Sequence, residues 1–355
     1  MQNPLAISGT VRATDVEGTL PSAHVFLSNT TFGKITDRQG KFQIKVDRPG
    51  TYELIVRFTG YKTFSRTLVI ESDGIEGLEI SLKPQNRDLG SFTIVAKNRS
   101  EWRKNLKLFK DVFLGTSSNA ESTKILNEEV MNFYNDRENG KLIAFADEPL
   151  MIRNKALGYD IEYYLETFEL FYTESYSRYL GYPLFKEISL SKPSSRVVKR
   201  RREAYLGSIE HFFLSIFEGK LLEEGFIVRT ARDTIGGGLL VASDTVDISM
   251  TKVQSNITTK SMSFEDYLFI TYTGAYETEE YERYKAMLMI NDQVKRTGGR
   301  NRQRSWIKMV DQNKPILFES SGYVINPLDF YQYGFWGFEK MADRVPLNYR
   351  LNSEN

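Results

Sequence analysis

The chain has 355 residues with two histidines and no cysteine, and its 47 basic and 46 acidic side chains leave a formal charge of +1. The lack of cysteine excludes disulfide scaffolds, thiolate nucleophiles and cysteine-held zinc, and near-neutrality supplies no global field toward nucleic acid or an acidic membrane. Hydrophobic and charged fractions of 41% and 26% are those of a folded chain, its length suits two domains, and no apolar run approaches the roughly 18 residues of a spanning helix.

From residue 7 onward the text alternates with period two, as a strand with one dry face does. In "GKFQIKV" Phe42, Ile44 and Val46 face one way and Lys41, Gln43 and Lys45 the other; "TYELIVRF" repeats the pattern with Tyr52, Leu54, Val56 and Phe58. Seven strands are expected near 7–12, 23–28, 32–36, 41–47, 50–58, 62–71 and 77–83, parted by turn residues such as Gly40, Pro49-Gly50 and Gly60. Short strands at this spacing predict a β-sandwich. Within "TDRQGKF" a calcium loop would need six or more oxygen ligands, but Asp37 is surrounded by Lys34, Arg38 and Lys41. A turn needs Asp at its first position and Gly near its end, so Asp37 and Gly40 are expected to set backbone geometry.

The phrases "ISGTV", "LPSAHVFLSNTTFGKITDRQGKFQIKV" and "GTYELIVRFTGYKT" together resemble the carboxypeptidase-D regulatory-like domain, a transthyretin-like sandwich, over residues 5–84. The loop "ATDVEGTLPSA" departs from the compact Gly-Xaa-Pro-Leu turn usual there. The resemblance implies a non-catalytic scaffold and an extracytoplasmic setting. No basic region and apolar core open the sequence, which taken literally means cytosol; the resemblance favours instead a leader removed ahead of Gln2.

The sandwich is expected over 1–84, a linker over 85–90, and a larger, mostly antiparallel α+β domain with two or three helices over 91–355. "SFTIVAK" reads as a strand. "EWRKNLKLFKDVFLG" reads as an amphipathic helix with Trp102, Leu106, Phe109 and Phe113 on one face. Aromatic and branched text from 141 to 188 reads as strands, a second helix is expected within 194–222, and strands return at "LLVASDTVDISM", "FEDYLFITYTG", "YKAMLMIN", "SWIKMV" and "KPILFESSGYVI". Blocks such as "LMIRNKALGYDIEYYLETFELFY" and "GYVINPLDFYQYGFWGFEKMADRVP" resemble those of bacterial envelope proteins that carry this sandwich at their N-terminus.

Neither His24 nor His211 sits in a His-Xaa-Xaa-Glu pair, so a zinc carboxypeptidase is rejected, and neither metal ligands nor a cofactor are expected. No nucleophile elbow is present, and "GGG" at 236–238 lacks the Lys-Ser/Thr of a phosphate cradle. The acidic "YETEEYERY" is expected to be a solvated loop or strand face. Two basic runs, Arg196, Lys199, Arg200, Arg201 and Arg202, then Lys295, Arg296, Arg300, Arg302 and Arg304, form a candidate surface for an anionic ligand or partner if they converge. The aromatic end supplies a second candidate surface in Tyr331, Tyr333 and Trp336. The expectation is a non-catalytic envelope protein that binds another envelope protein, with glycan binding or processing as the alternative; no nucleic acid partner is expected, and membrane association is at most peripheral.

Overall fold

The structure is a computed structural model that describes residues 5–85, 99–173, 176–189, 191–235, 237–246, 259–288 and 300–351. The expected strand at "SFTIVAK" and the basic residues Lys295 and Arg296 lie outside the described residues. Contacts divide the chain into two compact units: Met1–Asn105 with Leu126–Ile152 and Asp160–Glu187, and Leu106–Ile125 with Arg153–Tyr159 and Ile188–Asn355.

The first unit opens with a two-sheet sandwich. Strands β1 (Leu5–Ala13), β4 (Lys41–Val46) and β7 (Ile75–Leu82) form one sheet in the order β4-β1-β7, and β2 (His24–Leu27), β3 (Gly33–Ile35), β5 (Gly50–Arg57) and β6 (Phe64–Ile70) form the other as β3-β2-β5-β6. Period-two alternation has the outcome it predicts: Phe42, Ile44 and Val46 are buried while Lys41, Gln43 and Lys45 are exposed. With Ile7, Val11, Val25, Leu54, Val56 and Ile80 they form one dry core, each large apolar side chain contributing roughly 1.5–3 kcal/mol of transfer free energy.

The turn before β4 is built as its residue types require. Asp37 Oδ1 accepts from the backbone N–H groups of Gln39 at 2.9 Å and Lys41 at 2.8 Å. Gly40 has φ of +70°, and a Cβ there would lie 2.5 Å from the Thr19 Cβ and 2.9 Å from the Val11 carbonyl oxygen. Gly40→Ala is therefore expected to cost about 1–3 kcal/mol, whereas Arg38→Ala on the exposed side of the turn stays within about 0.5 kcal/mol. Equal urea midpoints for the two variants would contradict this.

Beyond the sandwich come the strands β8 (Thr123–Ile125), β9 (Met131–Asp136), β10 (Lys141–Ala146), β11 (Leu150–Asn154), β12 (Tyr159–Phe171) and β13 (Tyr176–Glu187). β9 pairs β10, β10 pairs the far end of β12, and β13 pairs β12. The β12–β13 hairpin covers the outer face of the second sandwich sheet. Phe26 and Ile55, which point away from the sandwich core, pack with Tyr164 and Leu184, and the Phe26 and Tyr164 rings stack at 5.1 Å. Backbone bonds from Asn29 N–H to the Pro183 carbonyl and from Phe185 N–H to the Thr30 carbonyl fix the register, and Arg57 pairs with Glu166 at 3.1 Å.

The second unit is built on a five-stranded sheet, β15-β14-β17-β18-β20, from β14 (Phe226–Asp233), β15 (Leu239–Val241), β17 (Tyr267–Tyr276), β18 (Arg302–Met309) and β20 (Phe330–Gly334); β16 (Thr259–Met262) and β19 (Ile316–Glu319) form a two-stranded sheet. One face of the large sheet is packed by the helix Ile209–Glu218: Phe212, Phe213 and Ile216 meet Phe226, Val228, Leu268, Ile270, Tyr272 and Ile307.

Six α-helices occur among the described residues where two or three are expected: α1 (Arg99–Phe113), α2 (Ser118–Glu121), α3 (Ser195–Tyr205), α4 (Ile209–Glu218), α5 (Glu279–Met287) and α6 (Phe335–Phe338). Two of these are single turns. The helix expected within 194–222 is two, because Leu206 leaves the helical region and Ser208 caps the next helix, its Oγ accepting from the His211 N–H at 3.2 Å. The strand expected at "YKAMLMIN" is corrected as far as Met287, which closes α5. Thr278 caps α5, Glu279, Glu280 and Glu282 complement its dipole in the first turn, and Tyr281 and Lys285, four apart, are its buried side.

Candidate functional site: an aromatic sheet face

Alternation along β18 sends Gln303, Ser305, Ile307 and Met309 into the core and leaves Arg302, Arg304, Trp306 and Lys308 on the opposite face of the sheet. The cross-strand register then assembles a row. Arg229 of β14 lies opposite Phe269 of β17, Phe269 opposite Trp306, and Trp306 opposite Tyr333 of β20. The rings of Phe269 and Trp306 are 5.9 Å apart and within 9° of parallel; those of Trp306 and Tyr333 are 6.1 Å apart and within 8°. A neighbouring row sets Ala231, Tyr267, Lys308 and Tyr331 side by side. Phe269 and Tyr267 are buried, whereas Trp306, Tyr331 and Tyr333 are half-buried.

Polar groups border the rings. Lys308 Nζ lies 4.6 Å from the centre of the Tyr267 ring and donates to the Tyr267 hydroxyl at 3.2 Å and to Asp233 Oδ2 at 3.4 Å; the Tyr267 hydroxyl donates to the same carboxylate oxygen at 3.3 Å. The hydrogen bond to Tyr267, with Asp233 behind it, holds the Lys308 ammonium above its ordinary pKa. Burial pushes the Tyr333 phenol up as well. The border thus offers an ammonium, a carboxylate and phenolic hydroxyls beside flat apolar rings.

Of the aromatic surface expected from sequence, Tyr331 and Tyr333 are on this face and Trp336 is not. Trp336 is 3% exposed, packs on Phe212 at 5.1 Å and donates its indole N–H to the Gly207 carbonyl at 2.7 Å. Its place is taken by Trp306. The signal was in "RQRSWIKM", where the indole shares its parity with Arg302, Arg304 and Lys308 rather than with Ile307 and Met309.

The two basic runs are not drawn into one surface. Arg196, Lys199 and Arg202 are exposed on α3, and Arg200 donates to Asn119 Oδ1 at 3.3 Å. Arg201 turns inward: it is 2% exposed, donates to the Leu157 carbonyl at 2.7 Å and lies 4.0 Å over the Tyr159 ring. In the second run Arg300 pairs with exposed Glu279 at 3.4 Å, Arg302 covers the Tyr276 ring at 4.0 Å, and Arg304 joins the buried carboxylate of Glu277 at 2.9 Å. Glu277 also accepts from Lys285 at 2.8 Å. The solvated acidic face expected at "YETEEYERY" is thus corrected at Glu277, which balances Lys285 and Arg304, whose side chains are 9% and 11% exposed.

His211 lies in the core of the second unit. Its Nδ1 accepts from the Gly207 N–H at 3.1 Å and its Nε2 faces Glu224 at 3.1 Å, an arrangement that suits the neutral ring with the proton on Nε2. Burial lowers its pKa against the opposing pull of Glu224 and Glu218. The unfolded chain takes up this proton near pH 6.5 and the folded chain only at lower pH. The stabilising contribution is therefore fully present above about pH 6.5 and is lost as the pH falls from there through the folded-state value. Urea titrations from pH 7 to 5 should show a steeper loss of stability in the wild type than in His211→Gln; parallel slopes would contradict it.

Comparison with known proteins places the first domain. The N-terminal sandwich is a CarboxypepD_reg-like domain: residues 7–94 match the model of that family. No curated protein matches the chain. Among solved structures it is similar to a mutant type II cohesin–X-dockerin complex from Acetivibrio cellulolyticus (18% identity, 33% of this chain and 79% of that one, TM-score 0.21). It is also similar to a DUF3823 family protein from Parabacteroides merdae (11%, 53% and 83%, 0.18) and to a protein described as membrane-associated from Bacteroides fragilis (12%, 76% and 87%, 0.19). TM-scores this low give the likenesses no weight for fold or function. Among the described residues no group of three or more His, Asp and Glu side chains is placed to hold a metal ion, and no helix is long and apolar enough to cross a membrane.

Proposed function

We propose that the chain is a non-catalytic binding protein of the cell envelope, working beside outer-membrane machinery, with the CarboxypepD_reg-like sandwich as scaffold and the aromatic sheet face of the second unit as the binding surface. The observation that supports this reading is the row Phe269–Trp306–Tyr333. It runs across three neighbouring strands on the sheet face opposite the α4-packed core, and Trp306 and Tyr333 remain half-exposed. Aromatic side chains with polar tips are the residues that carry binding energy at recognition surfaces. The resemblance of the first domain supports the extracytoplasmic setting.

Fractionation of the source cells tests the proposal. The wild-type chain should sediment with the envelope, and Trp306→Ala should shift it to the soluble extracytoplasmic fraction. A wholly cytosolic protein, or retention indifferent to Trp306, would overturn it.

A further inference from the structure

We infer that the Trp306–Tyr333 row is a stacking platform for a neutral glycan chain, an inference that rests on the binding reading above. The ring orientation carries it. A Cβ on Gly334 would lie 2.7 Å from Cζ3 of Trp306, so the indole reaches from β18 across to the backbone of β20. Trp306 remains half-exposed there. Tyr333 and Phe269 repeat that orientation within 8° and 9°. The half-exposed, electron-rich rings of Trp306 and Tyr333 attract the C–H faces of pyranose rings, by the same quadrupole that draws cations and ring edges.

The border suits the other half of a sugar. Asp233, whose side chain is 65% exposed, accepts from sugar hydroxyls, while Lys308 and the Tyr333 hydroxyl donate to ring and hydroxyl oxygens. Lys308 and Asp233 neutralise each other at 3.4 Å, and Arg304 is balanced by Glu277, so the two cations that flank Trp306 on its own strand already have their counter-ions. A protein partner would need an apolar contact of roughly 800 Å² on each side. Here Ala231, Tyr267 and Phe269 are buried, with Leu239 and Val241 packed against them, and the aromatic area left half-exposed is that of Trp306, Tyr331 and Tyr333, beside the polar side chains of Arg229, Thr271 and Lys308.

The purified full chain should be titrated by calorimetry with neutral oligosaccharides, as gluco-, xylo- and manno-configured series of increasing length. At least one series should bind, more tightly as the chain lengthens. Trp306→Ala should weaken binding roughly tenfold or more, Trp306→Phe should retain part of it, and Tyr134→Ala, an exposed aromatic elsewhere, should leave it unchanged. Thermal melts of each variant separate lost binding from lost fold. Absence of binding by every series, or equal binding by a folded Trp306→Ala, overturns the glycan assignment. Envelope retention that depends on Trp306 without oligosaccharide binding would leave the envelope reading standing and replace the glycan by a protein partner.

Discussion

Replacing Glu277 with alanine is expected to lower the stability of the second unit by about 3–5 kcal/mol, the cost of leaving buried charges without their partner. The Glu277 side chain is 2% exposed, and the two cations it serves, Lys285 and Arg304, are 9% and 11% exposed. Arg304 donates through Nε at 2.9 Å and Nη2 at 3.4 Å, and Lys285 through Nζ at 2.8 Å, so one carboxylate accepts from two cations. Lys285 keeps Glu282 at 3.0 Å, but that carboxylate is 40% exposed and screened. Removing Glu277 therefore costs more than removing either cation alone. Urea unfolding followed by tryptophan fluorescence measures it, and a loss below about 1 kcal/mol would contradict a buried network.

Arg201→Ala is expected to cost about 2–4 kcal/mol, while its chain neighbour Arg202→Ala changes stability by no more than about 0.5 kcal/mol. The two arginines are adjacent in a basic run that looks uniform as text. Arg201 alone is inside, bonded to the Leu157 carbonyl and stacked on Tyr159; truncating it opens a cavity and strips a buried carbonyl of its donor. Equal effects at the two positions would mean that the run acts as a surface after all.

How much was legible follows from which forces are local. The sandwich was readable because strand alternation and turn chemistry act within a few residues, as in β4 and the Asp37–Gly40 turn. The break between α3 and α4 was harder: "YLGSIEHF" keeps helical apolar spacing on both sides of Gly207, and only Ser208, a good N-cap followed by His211 in the core, marked the restart. At Glu277 the sequence showed acids in series, and nothing local tells the carboxylate that turns in from those that stay out. The aromatic face lay between these cases. Tyr331 and Tyr333 stand out in the aromatic-rich ending, but Trp306 is brought to them by a register between β18 and β20 that no short window contains, and Trp336 follows its single helical turn into the core.

Oxidative footprinting of the chain in its native envelope, set against the purified protein, tests the binding face most directly. Trp306, Tyr331 and Tyr333 should be protected in the envelope, while Tyr134 and Tyr172, 40% and 48% exposed in the first unit, keep their reactivity. Equal reactivity of Trp306, Tyr331 and Tyr333 in the two states would contradict a binding role for this face.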